Sequence, residues 1–157
     1  VWERTKTKMV CRGVKIMQNT PFKLQEAALR DIIREGRAKK TAIDCTGMGQ
    51  QLAERMIERF GEHRVERVTF TETSKAELAT GLKMWVEKEE AAIPDDDDII
   101  NDWRMIEQET TETGKVKYDC ERSSGGHADR FWAAALGIYA MGGTKRFELA
   151  MSFAHCN

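Results

Sequence analysis

No stretch of this sequence stays apolar for the roughly 20 residues that a membrane-spanning helix needs. No apolar segment follows a basic start in the manner of a secretory signal either. Cysteine is sparse, and its 4 copies, Cys11, Cys45, Cys120 and Cys156, stand far apart with no CxxC pair, so a structural zinc site is not expected. No GxxxxGK followed by Ser or Thr occurs, which removes the phosphate loop of a nucleotide-driven motor. Internal repeats and linkers rich in Pro, Gly and Ser are also missing. These absences exclude a membrane span, a disulfide-stapled scaffold and an ATPase. They leave an unexported, soluble chain with reduced cysteines, in keeping with an intracellular compartment.

Enough apolar material remains for a core. Hydrophobic residues make up 41% of the 157 and charged residues 32%, the balance of one domain with a filled interior and a solvated surface. The chain begins with Val1 rather than Met, which reads as a piece of something longer. Its formal net charge of -1 conceals an asymmetry. Residues 1–40 carry 11 Lys and Arg against 4 Asp and Glu, a local balance of +7, and the remainder carries 14 against 22, or −8. A basic portion beside an acidic one hints at an anionic partner on one face. The plainer alternative is that the charges mix again in space.

Patterning predicts strands alternating with helices. Val1–Arg4 and Met9–Met17 read as a hairpin. Pro21 opens a helix to about Arg37, with Leu24, Ala28 and Ile32 at helical spacing. Thr41–Asp44 is a short strand ending in the turn CTGMG. A second helix carries Leu52, Met56 and Phe60 on one face and stops at Gly61. Val65–Phe70 is the next strand. Ser74 and Glu77 form a capping box for a third helix with Leu78, Leu82 and Trp85 on its stripe. Asp95–Asp98 is a solvated start to a helix bearing Ile99, Trp103 and Ile106. Lys115–Cys120 is a strand, SSGG a loop and His127–Met141 an apolar helix. The order β-β-α-β-α-β-α-α-β-α implies an α/β layered domain with a partly parallel sheet. Residues 144–157 form a poorly specified tail.

Two aspartates are candidates for chemistry. Asp44, in AIDCTGMG, ends a strand, and open α/β sheets bind ligands at strand carboxyl ends. A carboxylate there can hold a hard cation; alternatively Asp44 or Thr46 only caps the next helix, with Gly47 and Gly49 shaping the turn. Asp129, in GGHADRFWAAALG, starts an apolar helix after a glycine loop, suited either to a metal or to the helix dipole. His127 beside it is a cap, a proton carrier or a partner to a ligand. Arg130 can reach a phosphate or pair with Asp129. A strand-end acid and a helix-start acid suit two-metal phosphoryl chemistry, which ordinarily asks for a third acid.

The sequence resembles the C-terminal nuclease domain of phage terminase large subunits, most closely those of Mu-like phages and prophages. The residues that carry the resemblance are WERT, PFKLQ, AIDCTGMGQQLAE, VTFTETSKAEL, IPDDDDIINDWRMIE, TGKVKYD and GGHADRFWAAALG, nearly all of residues 1–141. It implies a ribonuclease H-like fold, with a mixed central sheet flanked by helices over residues 1–143. It also implies a metal-dependent endonuclease that cuts double-stranded DNA during viral genome packaging. Asp44 then matches the acid that ends the middle strand and Asp129 the acid that starts the last helix, holding Mg2+ or Mn2+ with His127 beside them. The family's first acid lies on an opening strand upstream of WERT, and this chain begins after it; Glu3 belongs to the following strand. Lys75, Arg130, Lys39 and Lys40 are the DNA-contacting candidates, with Arg12, Lys15 and Arg37 able to add positive charge against phosphates. The implied partners are double-stranded DNA, an ATPase domain of the same parent chain, the portal and the small terminase subunit, in the cytoplasm of a bacterial host. Competing readings are another ribonuclease H-like nuclease of resolvase or recombinase type, and a non-catalytic module that grips DNA or the portal.

Overall fold

The structure is a computed structural model and describes residues 1–111, 114, 116–120 and 128–142. In chain order the elements are β1 (Trp2–Arg4), β2 (Met9–Cys11), α1 (Phe22–Glu35), β3 (Thr41–Asp44), α2 (Gly49–Phe60), β4 (Val65–Val68) and α3 (Glu72–Glu87). They continue with β5 (Ala91–Ala92), α4 (Asp97–Arg104), β6 (Ile106–Thr110), β7 (Val116–Cys120) and α5 (Asp129–Ala140). The chain divides into two compact units, Lys15–Phe70 and Val1–Val14 with Thr71–Asn157. None of the described helices is long and apolar enough to cross a membrane.

The Lys15–Phe70 unit is built on a parallel pair. β3 and β4 run side by side from Thr41 opposite Val65 to Asp44 opposite Val68. Parallel neighbours need a crossover, and α2 supplies it. Ile43 and Val65 on the strands close over Ala53 and Met56 of α2 and Ile33 of α1, with Leu29, Ile57 and Phe60 packed around them. The buried face of α1 is thus Leu29–Ile33, one position round from the expected Leu24–Ala28–Ile32 stripe, and Leu24 is 59% exposed. With Leu24, Ala27, Ala28, Leu29, Ile32 and Ile33 in one helix, the sequence supports either stripe, and contact with α2 decides between them. At the end of α1 the Arg64 guanidinium donates to the carbonyls of Ala38 at 2.8 Å and Ile33 at 3.1 Å, while lying over the Phe60 ring. Helix-end carbonyls left without intrahelical donors are satisfied in this way.

In the other unit, β2 pairs antiparallel with β1 and parallel with β5, and β6 and β7 form an antiparallel hairpin. The predicted mixed sheet is present, but the strands among the described residues fall into sheets of three, two and two. α5 is apolar almost all round and buries Phe131, Trp132, Ala134, Ala135, Leu136 and Ile138. Leu78, Leu82 and Trp85 of α3 are buried as the spacing predicts.

Three local expectations change. α3 starts earlier than Ser74: Thr71 is its N-cap, and Thr71 and Ser74 exchange the two bonds of a capping box. α4 stops at Arg104, so Ile106 opens β6 instead of extending the helix. β5 and β6 are strands that sequence patterning misses. The first has two residues, and the second, IEQET, has one apolar side chain and draws its stability from pairing with β7.

Helix α5 passes so close to β1 that a β-carbon on Gly137 would lie 2.3 Å from Cδ1 of Trp2. Gly137→Ala is therefore expected to cost about 1–3 kcal/mol by overpacking, more than the roughly 1 kcal/mol that alanine returns in helix propensity. Thermal unfolding of Gly137→Ala, Trp2→Ala and the double variant tests this. The alanine should be harmful with Trp2 present and tolerated without it.

Candidate metal centre

Asp44 is the last residue of β3 and half-buried. Its Oδ1 accepts the Thr46 backbone N–H at 2.9 Å, closing a side-chain turn that leaves the second carboxylate oxygen without a protein donor among the described residues. The turn is tied to the end of β4: Cys45 N–H donates to the Val68 carbonyl at 2.8 Å, and Phe70 N–H to the Thr46 hydroxyl at 3.2 Å. Gly47 has φ +69°, a left-handed backbone that glycine adopts freely. Gly49 is needed for closeness, because a β-carbon there would lie 1.8 Å from the Asp44 carbonyl oxygen. Asp44 and Thr46 thus cap the turn and not α2, whose N-cap is Met48 without a side-chain bond. Burial pushes the adjacent Cys45 thiol above its usual range, which favours its neutral S–H form.

Asp129 is the first residue of α5 and exposed. Among the described residues no hydrogen bond or ion pair occupies its carboxylate. The N-cap, Ala128, is fully buried in a left-handed conformation with φ 50° and has no side-chain oxygen to offer the helix. Its carbonyl takes the N–H groups of Phe131 and Trp132 at 3.0 and 3.2 Å. The preceding N–H, of Arg130, goes instead to Asp102 of α4, at 3.0 Å from Oδ2. The same carboxylate takes Nη1 of Arg130 on Oδ1 at 3.1 Å, and Nη2 meets Asp98 at 3.1 Å.

The structure gathers part of the candidate set. Lys75 lies with its ammonium 5.0 Å from the centre of the Trp132 ring. Trp132 is three residues beyond Asp129, hence on the same side of α5. Asp129, Arg130 and Lys75 therefore share the amino-terminal end of that helix. Lys39 and Lys40, both exposed, precede β3 at its amino end. Asp44 stands at the other end, about 13 Å along the strand at 3.3 Å per residue, so these lysines are not beside it. Arg12 is paired with Glu3 at 2.6 Å across the β1–β2 hairpin, while Lys15 and Arg37 are exposed. His127 lies outside the described residues, as do SSGG and the 144–157 tail. Asp102 is the residue that sequence reasoning missed. Its signal was an acid three positions after the buried Ile99, on the apolar side of an eight-residue helix.

Among the described residues no three His, Cys, Asp or Glu side chains gather closely enough to hold a metal ion. What Asp44 and Asp129 do offer is oxygen alone, each with acceptor capacity to spare. That donor chemistry fits a hard divalent cation such as magnesium, and not the nitrogen and sulfur preference of zinc.

One unit carries a parallel strand pair with an acid at its carboxyl end and the other a mixed sheet begun by a hairpin, each with helices, an α/β composition. Residues 1–140 match the terminase RNaseH-like domain, and the chain belongs to that family. Solved structures share the fold. The large terminase nuclease domain of Thermus phage P74-26 has 19% sequence identity and a TM-score of 0.62, with 78% of this chain and 61% of that one covered. The large terminase nuclease of thermophilic phage G20c with bound cobalt has 22% identity and a TM-score of 0.64, covering 78% and 64%. The same nuclease with bound magnesium gives 21%, 0.64, 78% and 64%. The chain thus spans a little over three-fifths of the length of these structures. No curated protein matches it.

Proposed function

We propose that this chain is the metal-dependent endonuclease domain of a phage terminase large subunit, hydrolysing double-stranded DNA during genome packaging. The observation that carries the reading is the family match over residues 1–140, which takes in Asp44 and Asp129 with their surroundings. Residues 1–143 act as the nuclease domain in this reading, followed by a tail.

Asp44 and Asp129 would hold Mg2+ or Mn2+, and two such ions are the working number in this chemistry. A cation bound there supplies an acidified water and neutralises charge building on the phosphate. The chain's own residues do the rest. The Asp44 turn, held by Thr46, Gly47 and Gly49, fixes one carboxylate at a strand end. α5 fixes the other. Lys75 places positive charge beside Asp129, where a phosphodiester backbone approaches. Arg130 is held by Asp98 and Asp102 and contributes structure more than free charge, and His127 is available to carry a proton. Lys39 and Lys40 extend the contact with phosphates away from Asp44, so binding is little dependent on sequence. The partners are double-stranded DNA, the ATPase domain of the parent chain, the portal and the small subunit, in the host cytoplasm.

The test is conversion of supercoiled plasmid to open-circle and linear forms with magnesium, manganese or a chelator. Cleavage that needs either cation and acts on linear duplex as well as on a four-way junction is expected. Strong preference for the junction would favour a resolvase. Salt-dependent DNA binding without cleavage under any cation would favour a gripping module.

A further inference from the structure

We infer that Asp102 is a positioning residue for Asp129, acting as an N-cap for α5 supplied from a different helix; this rests on the nuclease reading of Asp129. The need for it is local. An apolar helix starting at Asp129 leaves its first N–H groups without intrahelical acceptors. The residue that ordinarily caps them is here Ala128, which has no oxygen in its side chain and sits in a left-handed conformation that alanine disfavours. Asp102 fills that role from α4. One of its oxygens accepts the Arg130 backbone N–H at 3.0 Å and the other the Arg130 guanidinium at 3.1 Å. Both ends of Arg130, backbone and side chain, are thereby held by one carboxylate.

Asp102 is the buried charged residue among this unit's described residues, and Arg130 pairs with it at 3.1 Å. Asp129 is the residue immediately before Arg130, so the bond that fixes the Arg130 peptide also fixes the orientation in which Asp129 is presented. Second-layer carboxylates hold metal ligands in place in the same sense. Asp98 does not share the role: its side chain is 73% exposed, touches only the guanidinium, and leaves the backbone alone. Asparagine at 102 keeps the shape but must turn its NH2 either toward the Arg130 N–H or toward the guanidinium, donor against donor.

The experiment is a titration of the chain with manganese alone, followed by electron paramagnetic resonance, on the unaltered protein, Asp102→Asn, Asp98→Asn and Asp129→Asn. Asp102→Asn should weaken manganese binding about tenfold or more, the range found when a ligand's supporting partner is lost. Asp98→Asn should match the unaltered chain, and Asp129→Asn should lose the site. An unchanged manganese midpoint in folded Asp102→Asn, with Asp129→Asn still defective, overturns the positioning role and leaves the nuclease reading in place; a lower melting temperature alone does not rescue it. Unchanged binding in Asp129→Asn overturns both. Should Asp102→Asn fail to fold, amide hydrogen exchange of the unaltered chain decides. The Arg130 amide should be protected like those deeper in α5, and free exchange there overturns the inference.

Discussion

Asp44→Asn should abolish metal-dependent cleavage while leaving the fold intact. The substitution keeps the size of the side chain, and its remaining carbonyl oxygen can still accept the Thr46 N–H that closes the turn at 2.9 Å. Stability should therefore change by about 1 kcal/mol or less, a shift of roughly 2–4 °C in melting temperature for a chain of this size. What disappears is the negative charge. Removing one electrostatic group from a site of charge stabilisation costs on the order of 100- to 1000-fold in rate, and a carboxylate that holds a cation belongs at the upper end. Circular dichroism with plasmid cleavage separates the two effects. A normal melt with cleavage lost is the expected outcome. Cleavage at the unaltered rate would remove Asp44 from the site.

Gly49→Ala should damage both stability and cleavage, although glycine-to-alanine changes in helices ordinarily help. Alanine at the first position of α2 gains up to about 1 kcal/mol in helix propensity. Against this, its β-carbon would sit 1.8 Å from the Asp44 carbonyl oxygen, a backbone atom with no rotamer in which to retreat. Relief requires the strand end and the helix start to move apart, straining the Cys45–Val68 and Phe70–Thr46 bonds that tie the turn to β4. The clash outweighs the propensity, and we expect a net loss of about 2–3 kcal/mol. The cleavage defect should exceed that of a comparably destabilising core change such as Met56→Ala, about 2–5 kcal/mol at a fully buried position, because the atom displaced belongs to Asp44. Equal stability in Gly49→Ala and the unaltered chain would contradict the close approach.

The sequence made some of this visible for definite reasons. TAID followed by a glycine turn marks a strand end in any α/β chain, and the structure puts Asp44 there. Gly61 with φ 81° ends α2 as its position after the apolar stripe predicts. The apolar run after Asp129 reads as a helix packed in a core or against another domain, and α5 buries Phe131, Trp132 and Leu136. Other features depend on partners distant in sequence. β6 has one apolar residue and exists because β7 pairs with it. The α1 face was one residue off because six apolar side chains allow two stripes. Asp102 was passed over because an acid in DDIINDWR reads as solvated, and only α5 packed against α4 gives it a peptide N–H and a guanidinium to hold. Arg130 looked free for phosphate for the same reason, whereas Asp98 and Asp102 already engage it.

The central claim, that this chain hydrolyses DNA through a site containing Asp129, is tested most directly by supercoiled plasmid incubated in excess manganese, at about 5–10 mM to saturate weak oxygen-ligand sites, with the unaltered chain and with Asp129→Asn. The account predicts nicking by the unaltered chain that a chelator stops and that Asp129→Asn lacks, with equal melting temperatures for the two proteins. Nicking at the same rate by both proteins, or none by the folded, manganese-saturated unaltered chain, would contradict it.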